Sequence, residues 1–187
     1  MKEIEILVEV YGNEETVLAK LQKFDYKGDK ETTDIYYYDP LRDALKPQEN
    51  GRLRECFRLR DKNGTASIAY KVDHFEKDDT WIFSDEYETK IDSFEQMQNI
   101  VKKLGLKELV TIKNCKKTFV HGDFEIVLEK VENLGLFMEV EYCTDQDIDV
   151  QEMKKRIRGF IDGLGIKVSE ELNLGKPEMM VRKKQLF

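Results

Sequence analysis

Three segments of this chain carry two glutamates at spacing two, and each runs straight into an amphipathic helix. In Lys2–Tyr11, Ile4, Ile6, Val8 and Val10 take one face of an extended chain, and Glu3, Glu5, Leu7 and Glu9 take the other. Such alternation is a strand signal. Asn13-Glu14-Glu15 then starts a helix whose apolar stripe is Val17, Leu18, Leu21 and Phe24. The unit returns at Ser84–Ile91, which carries Glu86 and Glu88. There Asp92-Ser93 caps a helix with Met97, Ile100, Val101 and Leu104 as its stripe, ended by Gly105. It returns again at Leu136–Tyr142, where Glu139 and Glu141 oppose Met138, Val140 and Tyr142. A helix from about Val150 to Leu164 follows, with Met153, Ile157, Phe160, Ile161 and Leu164 facing inward. The three copies make an internal repeat of a strand–helix unit.

Further strand candidates lie between these units: Asp34–Tyr38, Arg52–Arg60, Thr65–Val72, Thr80–Phe83, Val110–Val120 and Asp123–Val131. Asn63-Gly64 and His121-Gly122 read as hairpin turns. Asp39–Gly51 is polar, contains Pro40 and Pro47, and reads as a mobile loop, while Pro177 falls in a C-terminal tail. No linker divides the 187 residues, so the expectation is one domain over 1–187, with a helix and tail after about residue 142.

The charges follow the strands. Arg58 and Arg60 oppose Phe57 and Leu59, and Lys71 opposes Tyr70 and Val72. An antiparallel sheet with one wet face gives such alternation. Here, however, the charges come in like-signed pairs. If about eight strands close into a barrel, helices cover the apolar outside and the charged faces line the lumen. On that closure the expected fold is α+β, an eight-stranded antiparallel β-barrel with helices packed outside; without it, a sheet with one wet face remains. A lumen of carboxylates alone repels itself by roughly 4 kcal/mol per pair at 4 Å and an effective dielectric near 20. It calls for protons, bases or a divalent cation. Glutamates without histidine or cysteine suit Mg²⁺ or Mn²⁺. Neighbouring arginine and lysine suit phosphate. Acid for metal beside base for phosphate is what a triphosphate site requires.

Other classes of function fit less well. Charged residues make up 37% of the chain, and the net charge is −7, which argues against a nucleic-acid partner. The three cysteines, Cys56, Cys115 and Cys143, are widely spaced, so reduced cytoplasmic thiols are expected. The two histidines, His74 and His121, are far apart and make a histidine metal site improbable. No signal peptide, membrane helix or Gly-x-x-x-x-Gly-Lys loop is present. Arg52 and Arg54 read as loop or rim charges, and Trp81, Tyr36 and Tyr37 as wall or core residues.

Taken in order, Glu3-Ile-Glu5, Phe57-Arg58-Leu59-Arg60, Lys71, Glu86-Tyr-Glu88 and Leu134-Gly135-Leu-Phe137-Met-Glu139-Val-Glu141 resemble the CYTH superfamily, the triphosphate tunnel metalloenzymes. Its members include class IV adenylyl cyclases, thiamine triphosphatases and inorganic triphosphatases. Asp34–Asp43, with Tyr36, Tyr37, Pro40, Arg42 and Asp43, looks closest to the class IV cyclase branch. The resemblance implies an eight-stranded tunnel in which Glu3, Glu5, Glu139 and Glu141 hold Mg²⁺ or Mn²⁺. It implies that Arg58, Arg60 and Lys71 grip a triphosphate such as ATP, thiamine triphosphate or tripolyphosphate. Glu86 and Glu88 become further acidic wall. The family's basic pair on a later strand falls near Lys113–Lys117, with Lys116 favoured and Lys113 and Lys117 flanking it. The resemblance leaves open a cyclase, a triphosphate hydrolase or a non-catalytic binder, as monomer or homodimer. No individual catalytic residue is assigned.

Three positions depart from the family pattern. Leu7 stands where the family has a lysine that approaches the phosphates. Glu129 replaces the usual aspartate, and Lys116 an arginine. Leu7 is expected in the charged lumen, so Leu7→Lys should restore a phosphate contact unless another base, such as Lys113, fills the vacancy.

Overall fold

The computed structural model describes residues 2–186. Eight strands, β1 (Lys2–Glu9), β2 (Asp25–Tyr38), β3 (Glu55–Lys62), β4 (Thr65–Phe75), β5 (Trp81–Ile91), β6 (Lys107–His121), β7 (Phe124–Val131) and β8 (Gly135–Thr144), close into one barrel. Every neighbouring pair is antiparallel, in the order β1-β5-β4-β3-β2-β6-β7-β8 and back to β1. Closure leaves no long sheet edge exposed. The four α-helices are α1 (Glu14–Leu21), α2 (Phe94–Lys103), α3 (Val150–Gly163) and α4 (Lys176–Lys184).

The apolar faces point outward, as the alternation requires. Ile4, Ile6, Val8 and Val10 pack with Val17 and Leu21 of α1 and with Met153, Ile157 and Ile161 of α3. Val101 of α2 covers Ile35, Tyr37 and Leu59 on another side of the barrel. Asn13, Ser93 and Asp149 cap α1, α2 and α3, each accepting a backbone N–H of the first turn at 2.7–3.2 Å. The β3–β4 hairpin turns on Asn63-Gly64, both at positive φ, as a type I′ turn demands. The β6–β7 turn is centred on Gly122-Asp123, one residue later than His121-Gly122, because His121 still pairs with Phe124.

Several elements are more extensive than the sequence suggests. Residues 80–83 and 84–91, expected as separate strands, fall mostly within β5. β2 begins at Asp25, nine residues before the expected start at Asp34. Asp39–Gly51 is docked rather than loose: it contains a 3-10 turn, Asp43–Leu45, whose Leu45 is buried.

The largest difference is the C-terminus. β1 pairs with β5 only at Lys2 and Glu3. Beyond that point residues 167–172 run along β1, with Ser169 N–H donating to the Glu9 carbonyl (2.9 Å) and Leu172 N–H to the Leu7 carbonyl (2.8 Å). The chain then enters α4, whose Met180 and Val181 close one end of the barrel against Leu7, Leu53, Val110, Ile112 and Phe137. The tail is thus part of the barrel. Its helix start was legible in Gly175-Lys176-Pro177-Glu178: Pro stands in the first turn, and the Glu178 carboxylate accepts the Gly175 N–H at 2.6 Å.

Candidate active site

The circular strand order sorts the charges. β8, β1 and β5, the three strands with paired glutamates, lie side by side and form one acidic wall. β4, β3 and β6 carry Lys71, Arg58, Arg60 and Lys116 around the rest of the lumen. Among the described residues, Glu3, Glu5 and Glu141 can each turn a carboxylate oxygen to within 4.8 Å of the other two. These three lie across a register in which Glu5 faces Glu141 directly.

The cations rest on carboxylates. Lys71 Nζ lies 2.5 Å from Glu3 and 3.7 Å from Glu86. Arg58 reaches Glu86 at 3.0 Å and Glu88 at 3.5 Å. Arg60 is bidentate to Asp34 at 2.6 and 2.7 Å. Lys116 stands 3.7 Å from both Glu129 and Glu139. Glu88 lies nearer the rim, its side chain 42% exposed.

Lys113 is exposed on the outer face of β6, because Ile112, Asn114 and Lys116 take the lumen side. Lys117 likewise points out, to Asp29 at 2.8 Å. Glu139, which the resemblance places with the metal-holding carboxylates, accepts from the Lys176 ammonium, which also bonds Glu129. Lys176 was missed because it lies outside every strand. Asp34 was missed as a site residue because its side chain is defined only by its partner, Arg60. Arg52, read as a rim charge, is 8% exposed and lines the lumen.

Leu7 does face the lumen, but its end of the lumen is apolar: it is 2% exposed, among Val110, Ile112, Phe137, Met180 and Val181. Leu7 and Glu139 are cross-strand partners, so a lysine at position 7 would reach the carboxylate that Lys176 already holds. The ammonium beside Glu139 is that of Lys176, while Lys113 is exposed. Leu7→Lys is therefore expected to gain no triphosphate affinity and to lose about 1–3 kcal/mol, the usual cost of a poorly compensated buried polar group. Calorimetric titration and a thermal melt of that variant check both halves.

Electrostatics separate the carboxylates into two kinds. Burial alone pushes Glu3 up, but Lys71 and bonds to its neighbours hold its pKa at about 2. Burial pushes Glu139 up too, yet Lys176 and Lys116 bring it well below the ordinary range. Burial raises Glu5 well above the ordinary value; repulsion from Glu139, Glu3 and Glu141 adds to this, while Lys71 opposes it. Glu141 is raised to about 8 by burial and by Glu3, Glu139 and Glu125. Glu3, Glu5 and Glu141 could hold a hard divalent cation, and their all-oxygen donors would fit Mg²⁺ or Mn²⁺.

The sequence model of the CYTH domain matches residues 1–172. The chain belongs to the CYTH family. It is 30% identical over 188 residues to a "putative adenylate cyclase" of Methanocaldococcus jannaschii, spanning 100% of this chain and 97% of that one. Its fold is similar to a Pyrococcus horikoshii protein of known structure, at 22% identity, with a TM-score of 0.79 over 96% of this chain and 99% of that one. It is also similar in fold to a Hippeastrum "putative adenylyl cyclase" described as having a dominant triphosphatase activity. That match is 16% identical, with a TM-score of 0.65 over 98% and 96% of the two chains. The CYTH match ends four residues before Lys176. Among the described residues, no helix is long and apolar enough to cross a membrane.

Proposed function

We propose that the lumen binds and turns over an organic triphosphate, with a divalent cation held by Glu3, Glu5 and Glu141. Arg58, Arg60, Lys71, Lys116 and Lys176 would meet the phosphates. The observation behind this reading is the carboxylate trio Glu3, Glu5 and Glu141, of which Glu5 lines the cavity that Arg58, Arg60, Lys71, Lys116 and Lys176 also line. A bound Mg²⁺ or Mn²⁺ would neutralise phosphate charge and polarise a phosphoryl oxygen. The chain's own residues bind and orient. Arg58 and Arg60 carry planar forks that suit phosphate bidentately once they leave Glu86 and Asp34. Lys71 bridges the two walls, touching Glu3 on one side and Glu86 on the other.

Two reactions use this arrangement. In a cyclase the ribose 3′-oxygen attacks the α-phosphorus and pyrophosphate leaves; in a hydrolase water attacks the terminal phosphorus. The Methanocaldococcus relative favours the first reading and the Hippeastrum fold neighbour the second. The alternative is a non-catalytic triphosphate binder, since Leu7 brings no charge to the phosphates and Lys176 is bonded to Glu129 and Glu139. The three unpaired cysteines suit a reducing cytoplasm. The experiment is turnover of ATP, thiamine triphosphate and tripolyphosphate with Mg²⁺ and with Mn²⁺, analysed for cyclic AMP, pyrophosphate and phosphate. At least one substrate is expected to turn over, and Arg58→Ala to lower that rate by about 10²–10³, as loss of one positioned charge does. Binding without products selects the binder; binding of none of the three refutes the triphosphate reading.

A further inference from the structure

Beneath residues 172–178, the lumen is lined by side chains that the metal and phosphate assignment leaves unused. Two of them carry buried donors with no hydrogen-bond partner among the described residues: Arg52 Nε and Trp81 Nε1. The Arg52 guanidinium is held in place. Its Nη1 donates to the Asn173 carbonyl at 2.8 Å, and its Cζ lies 4.8 Å from the Phe75 ring centroid. Arg58 and Arg60 each pair with carboxylates in the lumen, whereas no carboxylate of the described residues lies within ion-pair distance of Arg52. Trp81 is fixed from behind: Lys154 Nζ donates to its carbonyl at 2.8 Å and lies 4.9 Å from its ring centroid. The Lys154 charge is met by Glu171.

A buried N–H without an acceptor is costly, and such groups are rare unless something fills the place. The unpartnered groups at Arg52 and Trp81 are donors, so a partner there offers acceptors; Arg58 Nε and Glu129 Oε1, also unpartnered in this lining, belong to side chains already paired with Glu86 and with Lys176. Phe75, Leu174 and Pro177 line the same cavity with apolar surface, which suits a flat ring. A ring with a fixed positive charge would stand against the Arg52 guanidinium, which Glu178 offsets only from beyond ion-pair distance. A neutral nucleobase has apolar faces and acceptor nitrogens along its edge.

We propose that this end of the lumen is a nucleobase subsite, with Arg52 and Trp81 donating to the acceptor edge of the base of a nucleoside triphosphate. The assignment rests on the triphosphate reading above and adds which end of the substrate lies under α4. It also gives residues 172–178 a second task beside closing the barrel.

Trp81 is the chain's one tryptophan, so its emission reports this place directly. The test uses the full chain with Mg²⁺ and two probes, tripolyphosphate and a non-hydrolysable imido analogue of ATP, followed by calorimetry and fluorescence. The ATP analogue is expected to quench or shift Trp81 emission, and tripolyphosphate to bind without doing so. Trp81→Phe and Arg52→Met are each expected to weaken the ATP analogue about tenfold more than tripolyphosphate, the size of one lost hydrogen bond. Trp81→Phe keeps most of the ring volume and decides the matter if Arg52→Met does not fold. Equal losses for the two probes would make these residues general phosphate contacts and overturn the subsite. Unchanged Trp81 emission with the ATP analogue bound would also overturn it, while leaving the triphosphate reading intact. Binding of neither probe would overturn both.

Discussion

Lys176→Met is expected to lower unfolding stability by about 3–5 kcal/mol, the cost of removing one member of a buried charge pair. For a chain of this length that is a drop in melting temperature of roughly 6–20 °C. Lys176 is 9% exposed and bonds both Glu139 and the fully buried Glu129. Methionine keeps the apolar stem and removes the charge, leaving two carboxylates with Lys116 alone, 3.7 Å from each. The deficit should depend on pH in a fixed direction. Glu139 has a depressed pKa, so its pairing stabilises above the ordinary carboxylate value of 4.5 and is lost as pH falls below it. The gap between wild type and variant is therefore widest above about pH 5 and narrows toward pH 3. Thermal melts across that range measure it. A variant that melts within two degrees of wild type at pH 7 would show that α4 is held by its apolar face alone.

Glu141→Gln should do the opposite to the apo protein while removing metal binding. The folded pKa of Glu141 is about 8, against an ordinary 4.5. The folded chain keeps a proton that the unfolded chain has released, so stability falls as pH rises from about 4.5 to about 8. Glutamine stays neutral and is exempt from that fall. The variant is expected to match wild type near pH 5 and to exceed it at pH 8–9. Its Mg²⁺ or Mn²⁺ affinity should drop by more than the roughly 10–100-fold that loss of a supporting outer ligand costs, and turnover should fall with it. Glu139→Gln is expected to destabilise at neutral pH, because it leaves the Lys176 and Lys116 ammoniums to share Glu129 alone. Opposite signs for two glutamates on one strand face form the signature to look for in paired melts. Parallel destabilisation of both would mean that Glu141 is paired rather than crowded.

The residues themselves show how far a reading of the chain alone reaches. The outward packing of Ile4, Ile6, Val8 and Val10 follows from period two, since alternate side chains leave a strand on opposite faces. The paired Glu, Arg and Lys positions follow from the same periodicity, and closure of the barrel turns them into a lumen. Periodicity fails where a residue's role depends on a partner distant in sequence. Asp34 matters because Arg60 lies across the β2–β3 register. Arg52 and Trp81 look like a rim charge and a wall residue until residues 172–178 fold over them.

Lys113 and Lys116 mark the same boundary within one strand. Both are lysines at plausible positions, and only the phase of β6 in the closed barrel sends Lys116 inward and Lys113 out. Alternation along the chain determined the apolar and charged faces of the strands and their helical coat, because these depend on which face each residue takes, and the family resemblance supplied the closed eight-stranded count. The tertiary structure alone decided that β8, β1 and β5 stand together as the acidic wall, and that a helix 169 residues after Leu7 delivers an ammonium to Glu139. Coulomb energy depends on distance in space, and no local pattern carries that distance for residues so far apart in the chain.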